Sequence, residues 1–345
     1  MSKILCLVSS ILYLIFMKET LNFLFEGNVL TQNKAKEVLT DVASGKFSDA
    51  EMASFLTVYM MRKITPEEIL GFRDAMLGLA VSVNLEGYST IDVCGTGGDG
   101  KNTFNISTLS AFVLAGAGAK VVKHGNYGLS SPCGSSNIFE FFGYQFSTDN
   151  GKLKKELEEC GVCYFHAPMF HPAMKNIGPV RKALKVKTFF NMLGPMTNPA
   201  RPQSQFVGVF SSDTQKLYAE VYQLAGIRHS IAFSLDGYDE ISLTGDFSVA
   251  SNNNMNVFSP ESLGFSKVSS EALHGGNTIE EAAGIFTAIL EGRGTKAQND
   301  VVIANSAFAL SCYYPEKSIS DCIEMAKESL LSGKALQKFK KLFIK

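Results

Sequence analysis

The stretch Ile91-Asp92-Val93-Cys94-Gly95-Thr96-Gly97-Gly98-Asp99-Gly100 decides the fold. Ile91–Cys94 reads as a short apolar strand, and the glycines behind it end that strand. A helix is expected from about Ser107 to Gly116, then another strand at Lys120-Val121-Val122-Lys123. Strand, helix and strand in that order make a crossover unit of a parallel sheet. Four glycines between 95 and 100 let the backbone take conformations closed to other residues and bring its N–H groups close to an anion. The helix that follows turns its positive end toward the same place. The spacing fits neither the phosphate loop ending in GK[ST] nor the dinucleotide fingerprint. Read alone, the stretch also serves as a plain chain reversal.

Further strands are expected at 162–165, 206–210 and 231–235, separated by helical sequence such as 214–224. Helices return at 278–290 and 300–311, and a last one starts at Ser320. Upstream of the first strand the pattern is helical and short-linked. Thr31 precedes an amphipathic run ending at Gly45; Ser48 with Glu51, and Thr65 with Glu68 behind Pro66, form capping boxes. The expected class is therefore α/β. A small helical domain covers 17–83, with part of 170–200 as a candidate addition, and a larger α/β domain with a mostly parallel central sheet covers 84–345.

Residues 4–17 are nearly continuous apolar sequence, shorter than the roughly 20 residues a membrane span needs. Lys18, Glu19 and Thr20 offer no small-x-small cleavage site for a secretory leader. We expect Met17 to be the physiological start and residues 1–16 an upstream extension.

The 345 residues carry 32 basic and 33 acidic side chains, a net charge of −1, with no long stripe of Lys or Arg. That composition argues against nucleic acid as a partner, and no membrane partner is expected. Seven scattered cysteines, an odd number, point to buried thiols in a reducing, cytoplasmic setting. Cys160-x-x-Cys163 lacks a second pair at metal spacing, and His166 and His171 lack a third ligand, so neither is assigned a metal.

Chemistry gathers at three places. Thr103, Asn105, Ser107 and Thr108 crowd the glycine-rich turn with groups that hold phosphate oxygens or Mg²⁺. Lys123-His124-Gly125-Asn126 ends the second strand, at the sheet edge where α/β folds bind ligands. There Lys123 is placed to neutralise a departing phosphate, Gly125 to let a ligand pass close, and Asn126 to donate and accept. Ser130, Ser131 and Ser135 add hydroxyls. After the strand at 231–235, Asp239 and Glu240 form an adjacent carboxylate pair suited to Mg²⁺ with substrate phosphates. A solvated acidic turn is the competing reading.

Taken together, GTGGD at 95–99, KHGN at 123–126, HPAM at 171–174, PVR at 179–181, LGPMTNP at 193–199 and DGYDE at 236–240 resemble anthranilate phosphoribosyltransferase. The resemblance covers the chain from about Met17 onward, with the blocks in the family's order. It implies a helical domain joined to an α/β domain of the nucleoside phosphorylase and phosphoribosyltransferase class, and a homodimer formed through the helical domain. It also implies transfer of phosphoribose from 5-phosphoribosyl-1-diphosphate to anthranilate in tryptophan biosynthesis, with Mg²⁺ as cofactor.

By matching motif, Gly95, Gly98, Asp99, Thr103, Asn105, Ser107, Thr108, Lys123 and Ser135 would contact the donor, with His124, Gly125, Ser130 and Ser131 beside them. Ser107, Asp239 and Glu240 would hold metal. Gly95, Asn126 and Arg181 would line the anthranilate site, with Arg181 on the substrate carboxylate; Lys123 and Arg181 are the expected catalytic pair. Three departures stand out: Tyr127 where the family commonly has Arg, Pro132-Cys133 for Lys-Ser, and LKVKT at 184–188 for LGxRT. A pyrimidine nucleoside phosphorylase and a non-catalytic nucleic-acid-binding relative stay open as alternatives. Thymidine phosphorolysis would mark the first, and retention on DNA the second.

Overall fold

The structure, a computed structural model, describes residues 16–128, 131–252 and 254–343. The expected extension at 1–16 lies outside them except for its last residue. The chain divides into two compact units, one running to Val81 and taking in His171–Thr197, the other Ser82–Phe170 with Asn198–Lys345.

The smaller unit is helical: 16–25, Gln32–Ala43, Asp49–Met61, Pro66–Gly78 and Met174–Leu184. Its helices start where the caps predict. Thr31 accepts from the Lys34 N–H, and the Ser48–Glu51 and Thr65–Glu68 boxes are both reciprocal. Phe55, Tyr59, Phe72 and Phe189 fill the interior, with the rings of Phe72 and Phe189 stacked at 4.5 Å. Glu68 has no exposed surface; its carboxylate accepts from the Leu30 and Thr65 N–H groups, Tyr59 and the Arg62 guanidinium. Burial alone would raise this carboxyl, but those donors outweigh it and hold it below its usual value. The helix Met174–Leu184 ends on Lys185 at φ 54°, a left-handed position that Gly normally takes.

The larger unit is built on seven strands: β1 Ile91–Gly95, β2 Val121–Gly125, β3 Val162–His166, β4 Ser204–Gly208, β5 Arg228–Ser234, β6 Phe247–Ser251 and β7 Asn254–Phe258. Their order is β3-β2-β1-β4-β5-β6-β7, parallel from β3 to β5 and antiparallel across β6 and β7. Because β1 leads outward to β2 on one side and neighbours β4 on the other, the order reverses at the β1/β4 junction. Open α/β sheets bind ligands at such a crevice.

Two strands start earlier than the apolar runs suggest. β4 begins at Ser204, paired with Ile91, and β5 begins at Arg228, paired with Ser204. In a fully buried strand the polar Ser204 and Gln205 are covered too, so hydropathy alone misplaces the edge. The β6–β7 hairpin is absent from the sequence reading. Asn252, at φ 47°, follows β6, and β7 is an edge strand exposed from Asn254 through Val257. The helix Ile106–Gly116 is buried almost throughout; Lys296–Tyr313, Ile319–Leu331 and Lys334–Phe343 pack on it.

Candidate active site at the β1/β4 junction

Gly95 and Gly208 are the last residues of β1 and β4 and lie opposite one another in register. Across them runs the acidic segment after β5. A Cβ on Gly95 would strike the Asp239 carboxylate, and one on Gly208 would strike the Asp239 carbonyl. Here glycine is demanded by space. Gly97, Gly98 and Gly100 are different: their φ values of 69°, 80° and 75° are what only glycine takes readily.

The turn so formed grips the acids. Asp239 Oδ2 accepts the Gly97 N–H at 2.6 Å, and the Asp239 N–H donates to Asp99 Oδ2 at 3.4 Å. Asp99 Oδ1 accepts from the Lys101 N–H. Ser107, at the start of the following helix, lies close enough to Glu240 to oppose the rise of its carboxyl. Glu240 Oε2 is buried without a hydrogen-bond partner among the described residues. Asp239 and Glu240 are only 8% and 7% exposed, so burial raises both carboxyls, and Asp99 raises them further. Such a pair is under-compensated and suited to a hard cation. Among the described residues no group of three or more His, Cys, Asp or Glu side chains is arranged to hold a metal by itself. A cation here would therefore complete its shell with other oxygens.

Lys123 sits near the carboxyl end of β2, with almost no exposed surface (2%), and its ammonium donates to the Val93 carbonyl at 2.7 Å. Its charge acts on Asp92 and on Glu240. Asp92, missed by the sequence reading, is fully buried in β1. It accepts the His124 N–H at 3.2 Å and faces Gln205, and burial lifts its carboxyl to about 6. A lone Asp inside an apolar run gave no signal of this.

The remaining polar residues form two shoulders. Thr103 bridges to His274, with Asn102 and Phe104 held by Gly276 and Leu273. Asn105 donates to the Cys133 carbonyl at 3.1 Å, while Thr108 is 1% exposed. On the other side, Gly125 leaves room for Ser135 Oγ and Tyr164 Oη, and a Cβ there would strike both. Asn126 is exposed, and its carbonyl accepts from the Ser136 N–H. Asn137, also missed, accepts from the N–H groups of both Gly128 and Gly134 and so ties the two ends of the loop. Ser131 reaches the Cys133 carbonyl at 3.4 Å; Ser130 lies outside the described residues. Gly95, Gly97, Asp99, Asp239 and Glu240 thus meet at the ends of β1 and β4, and Ser135 lies against Gly125 at the end of β2. Arg181 belongs to the smaller unit, half-buried over the Phe190 ring at 5.1 Å and 3.4 Å from Asn191 Oδ1. Burial lowers its pKa.

Residues 87–336 match the glycosyl transferase family, a/b domain, and residues 18–80 the glycosyl transferase family, helical bundle domain. The anthranilate phosphoribosyltransferase of Christiangramia forsetii is 52% identical over 329 residues, covering 94% of this chain and 98% of its own. That of Bacteroides fragilis is 50% identical over 325 residues, with the same coverage. Among solved structures, the Thermus thermophilus anthranilate phosphoribosyltransferase superposes with a TM-score of 0.89 at 32% identity, covering 94% of this chain and 98% of that one. The Saccharomyces cerevisiae enzyme in complex with PRPP and Mg superposes at 0.88 with 25% identity, covering 95% and 97%. With the helical bundle, the sheet and the ordered motifs all matched along the same length, this chain belongs to the anthranilate phosphoribosyltransferase family.

Proposed function

We propose that this chain transfers the 5-phosphoribosyl group of 5-phosphoribosyl-1-diphosphate to the amine of anthranilate, a step of tryptophan biosynthesis. The bond from ribose C1 to the diphosphate oxygen breaks, a C1–N bond forms, and the nitrogen gives up one proton. N-(5-phosphoribosyl)anthranilate and diphosphate result. The observation that carries this reading is the Asp239–Glu240 pair, seated on Gly95 and Gly208 at the sheet's switch point beside a turn of main-chain amides.

In this reading Gly95, Gly98, Asp99, Thr103, Asn105, Ser107, Thr108 and Ser135 surround the donor, with His124, Gly125, Ser130 and Ser131 in the adjoining loop. The oriented N–H groups of the turn stabilise charge as it develops on the leaving diphosphate. Lys123 works from behind: its buried ammonium favours the ionised forms of Asp92 and Glu240. Ser107, Asp239 and Glu240 would hold Mg²⁺, and the orphaned Glu240 Oε2 supports that fit. When bound, the cation supplies positive charge that steadies the departing diphosphate.

The aromatic amine of anthranilate is already neutral, so no strong general base is required, and positioning dominates. Arg181 fixes the substrate carboxylate, with Asn126 and Gly95 on the acceptor side. Consumption of anthranilate, followed by its fluorescence with donor and Mg²⁺ present, tests the reading; no turnover under those conditions would sink it. A cytoplasmic homodimer through the helical unit completes the proposal. Phe25 at 64% and Met61 at 84% exposure in that unit support it, and sedimentation measures it.

A further inference from the structure

The loop after β2 is anchored by a chain of hydroxyls that reaches a histidine. Ser135 Oγ lies 2.8 Å from Tyr164 Oη, Tyr164 Oη lies 2.8 Å from Ser136 Oγ, and Ser136 Oγ lies 2.8 Å from His166 Nδ1. Tyr164 is fully buried, and burial raises its phenol, so it stays a neutral O–H. Each of these three contacts holds one proton, and each hydroxyl has only one to give. The chain therefore runs in one of two directions. When His166 Nδ1 accepts, Ser136 donates to it, Tyr164 donates to Ser136, and Ser135 turns its proton inward to Tyr164. When Nδ1 carries a proton, as in the imidazolium or the neutral Nδ1–H tautomer, the chain can reverse: Tyr164 donates to Ser135, and the Ser135 proton turns outward, where the Asn126 carbonyl at 3.5 Å is its acceptor until an anion takes it.

We propose that Tyr164, Ser136 and His166 are positioning residues that set the direction of the Ser135 hydroxyl and so couple binding of the phosphorylated donor to proton uptake at His166. The inference rests on the donor reading of Ser135. An anion accepting from Ser135 favours the outward chain and hence a proton on Nδ1, which the imidazolium always carries and the neutral ring carries in only one of its two tautomers, so by linkage protonation tightens the anion. The groups facing His166 suit such a device. The Phe146 ring stacks on it at 4.2 Å, the Tyr127 ring meets it edge-on at 5.0 Å, and Ser136 takes Nδ1. Burial lowers its pKa, while Glu140, which also accepts from the Tyr127 hydroxyl, opposes that shift. Asp92 acts on Tyr164 from β1. His166 thus rests neutral near pH 7 and has a proton to gain.

The test is donor binding in the presence of Mg²⁺ between pH 5.5 and 7.5, by calorimetry in buffers of different ionisation enthalpy, together with donor KM. Protein with the unaltered sequence should take up protons on binding and bind about fivefold more weakly at the upper pH than the variants' own trend predicts. In Tyr164→Phe, which keeps the ring stacked on Phe139 at 4.0 Å, and in His166→Phe, which keeps a ring against Phe146, that excess should vanish while the KM for anthranilate holds. If one of these fails to fold, Ser136→Ala breaks the chain at its centre. Identical pH dependence in all of them, with Ser135→Ala still raising donor KM, would overturn the relay alone. No effect of Ser135→Ala either would overturn the donor reading with it.

Discussion

Gly208→Ala is a sharp test of why the acidic segment sits where it does. The added methyl would fall on the Asp239 carbonyl oxygen and carbon and lie 3.0 Å from the Glu240 nitrogen. All three are backbone atoms, so no side chain can swing aside; the segment or β4 must shift. Overpacking of this kind costs about 1–3 kcal/mol. For a unit of this size, that is a fall in melting temperature of roughly 2–4 °C per kcal/mol. The larger effect should be catalytic. Moving a positioned group by about 1 Å can cost on the order of a hundredfold in rate, and here both carboxylates and the Gly97 contact move together. Gly245→Ala is the control, since a Cβ there meets nothing within 4 Å. Melting by scanning fluorimetry and turnover by anthranilate fluorescence measure the two effects. A Gly208→Ala protein with unchanged melting and turnover would refute the argument that glycine is required there for room.

Other consequences are simpler to state. Arg181→Ala should raise the KM for anthranilate by about tenfold or more, the loss of a charge-assisted contact, with donor KM little changed; steady-state kinetics in both substrates decides it. Asp239→Asn should weaken the Mg²⁺ dependence of turnover, seen as a higher metal concentration at half-maximal rate. Glu68→Gln should destabilise the protein by about 1–3 kcal/mol, because it takes the charge from a fully buried carboxylate that pairs with half-buried Arg62 and accepts from two backbone N–H groups. The pH sign follows from the lowered Glu68 carboxyl. Its stabilising contribution is present above the unfolded value near 4.3 and is lost as pH falls through the folded one, so acid melts of the variant should be flatter there. Lys185→Gly should stabilise by about 0.5–1 kcal/mol, since it relieves a left-handed lysine at a helix end, and urea melts measure it.

Where local chemistry dictates structure, the sequence was readable. Thr31, Ser48 and Thr65 start helices because side-chain oxygens satisfy otherwise unpaired N–H groups, and that depends only on residues within three positions. The glycine turn and the DGYDE segment were likewise visible as unusual composition. That the two lie on each other, through Gly97 and Asp239, is a contact 142 residues apart in the chain, and periodicity carries no trace of it. The place of Lys123 at a strand end was legible, but its burial was not, because it comes from sheet pairing on both sides. Asp92 and Tyr164 went unread for the same reason: polar atoms inside apolar strands look like noise until their partners on neighbouring strands are known. The β6–β7 hairpin was hidden because an edge strand exposed on both faces needs no hydrophobic alternation.

The buried trio of Asp92, Lys123 and Glu240 has a bearing on how this protein tolerates change. Two carboxyls and one ammonium lie buried within electrostatic reach of one another, so the effect of replacing any member depends on whether the others remain. Single-substitution scans will score each position as intolerant, while paired replacements that keep the balance of charge will score far better than the sum of their parts. For mutational epistasis the three positions are one character, and drift through them requires coordinated steps.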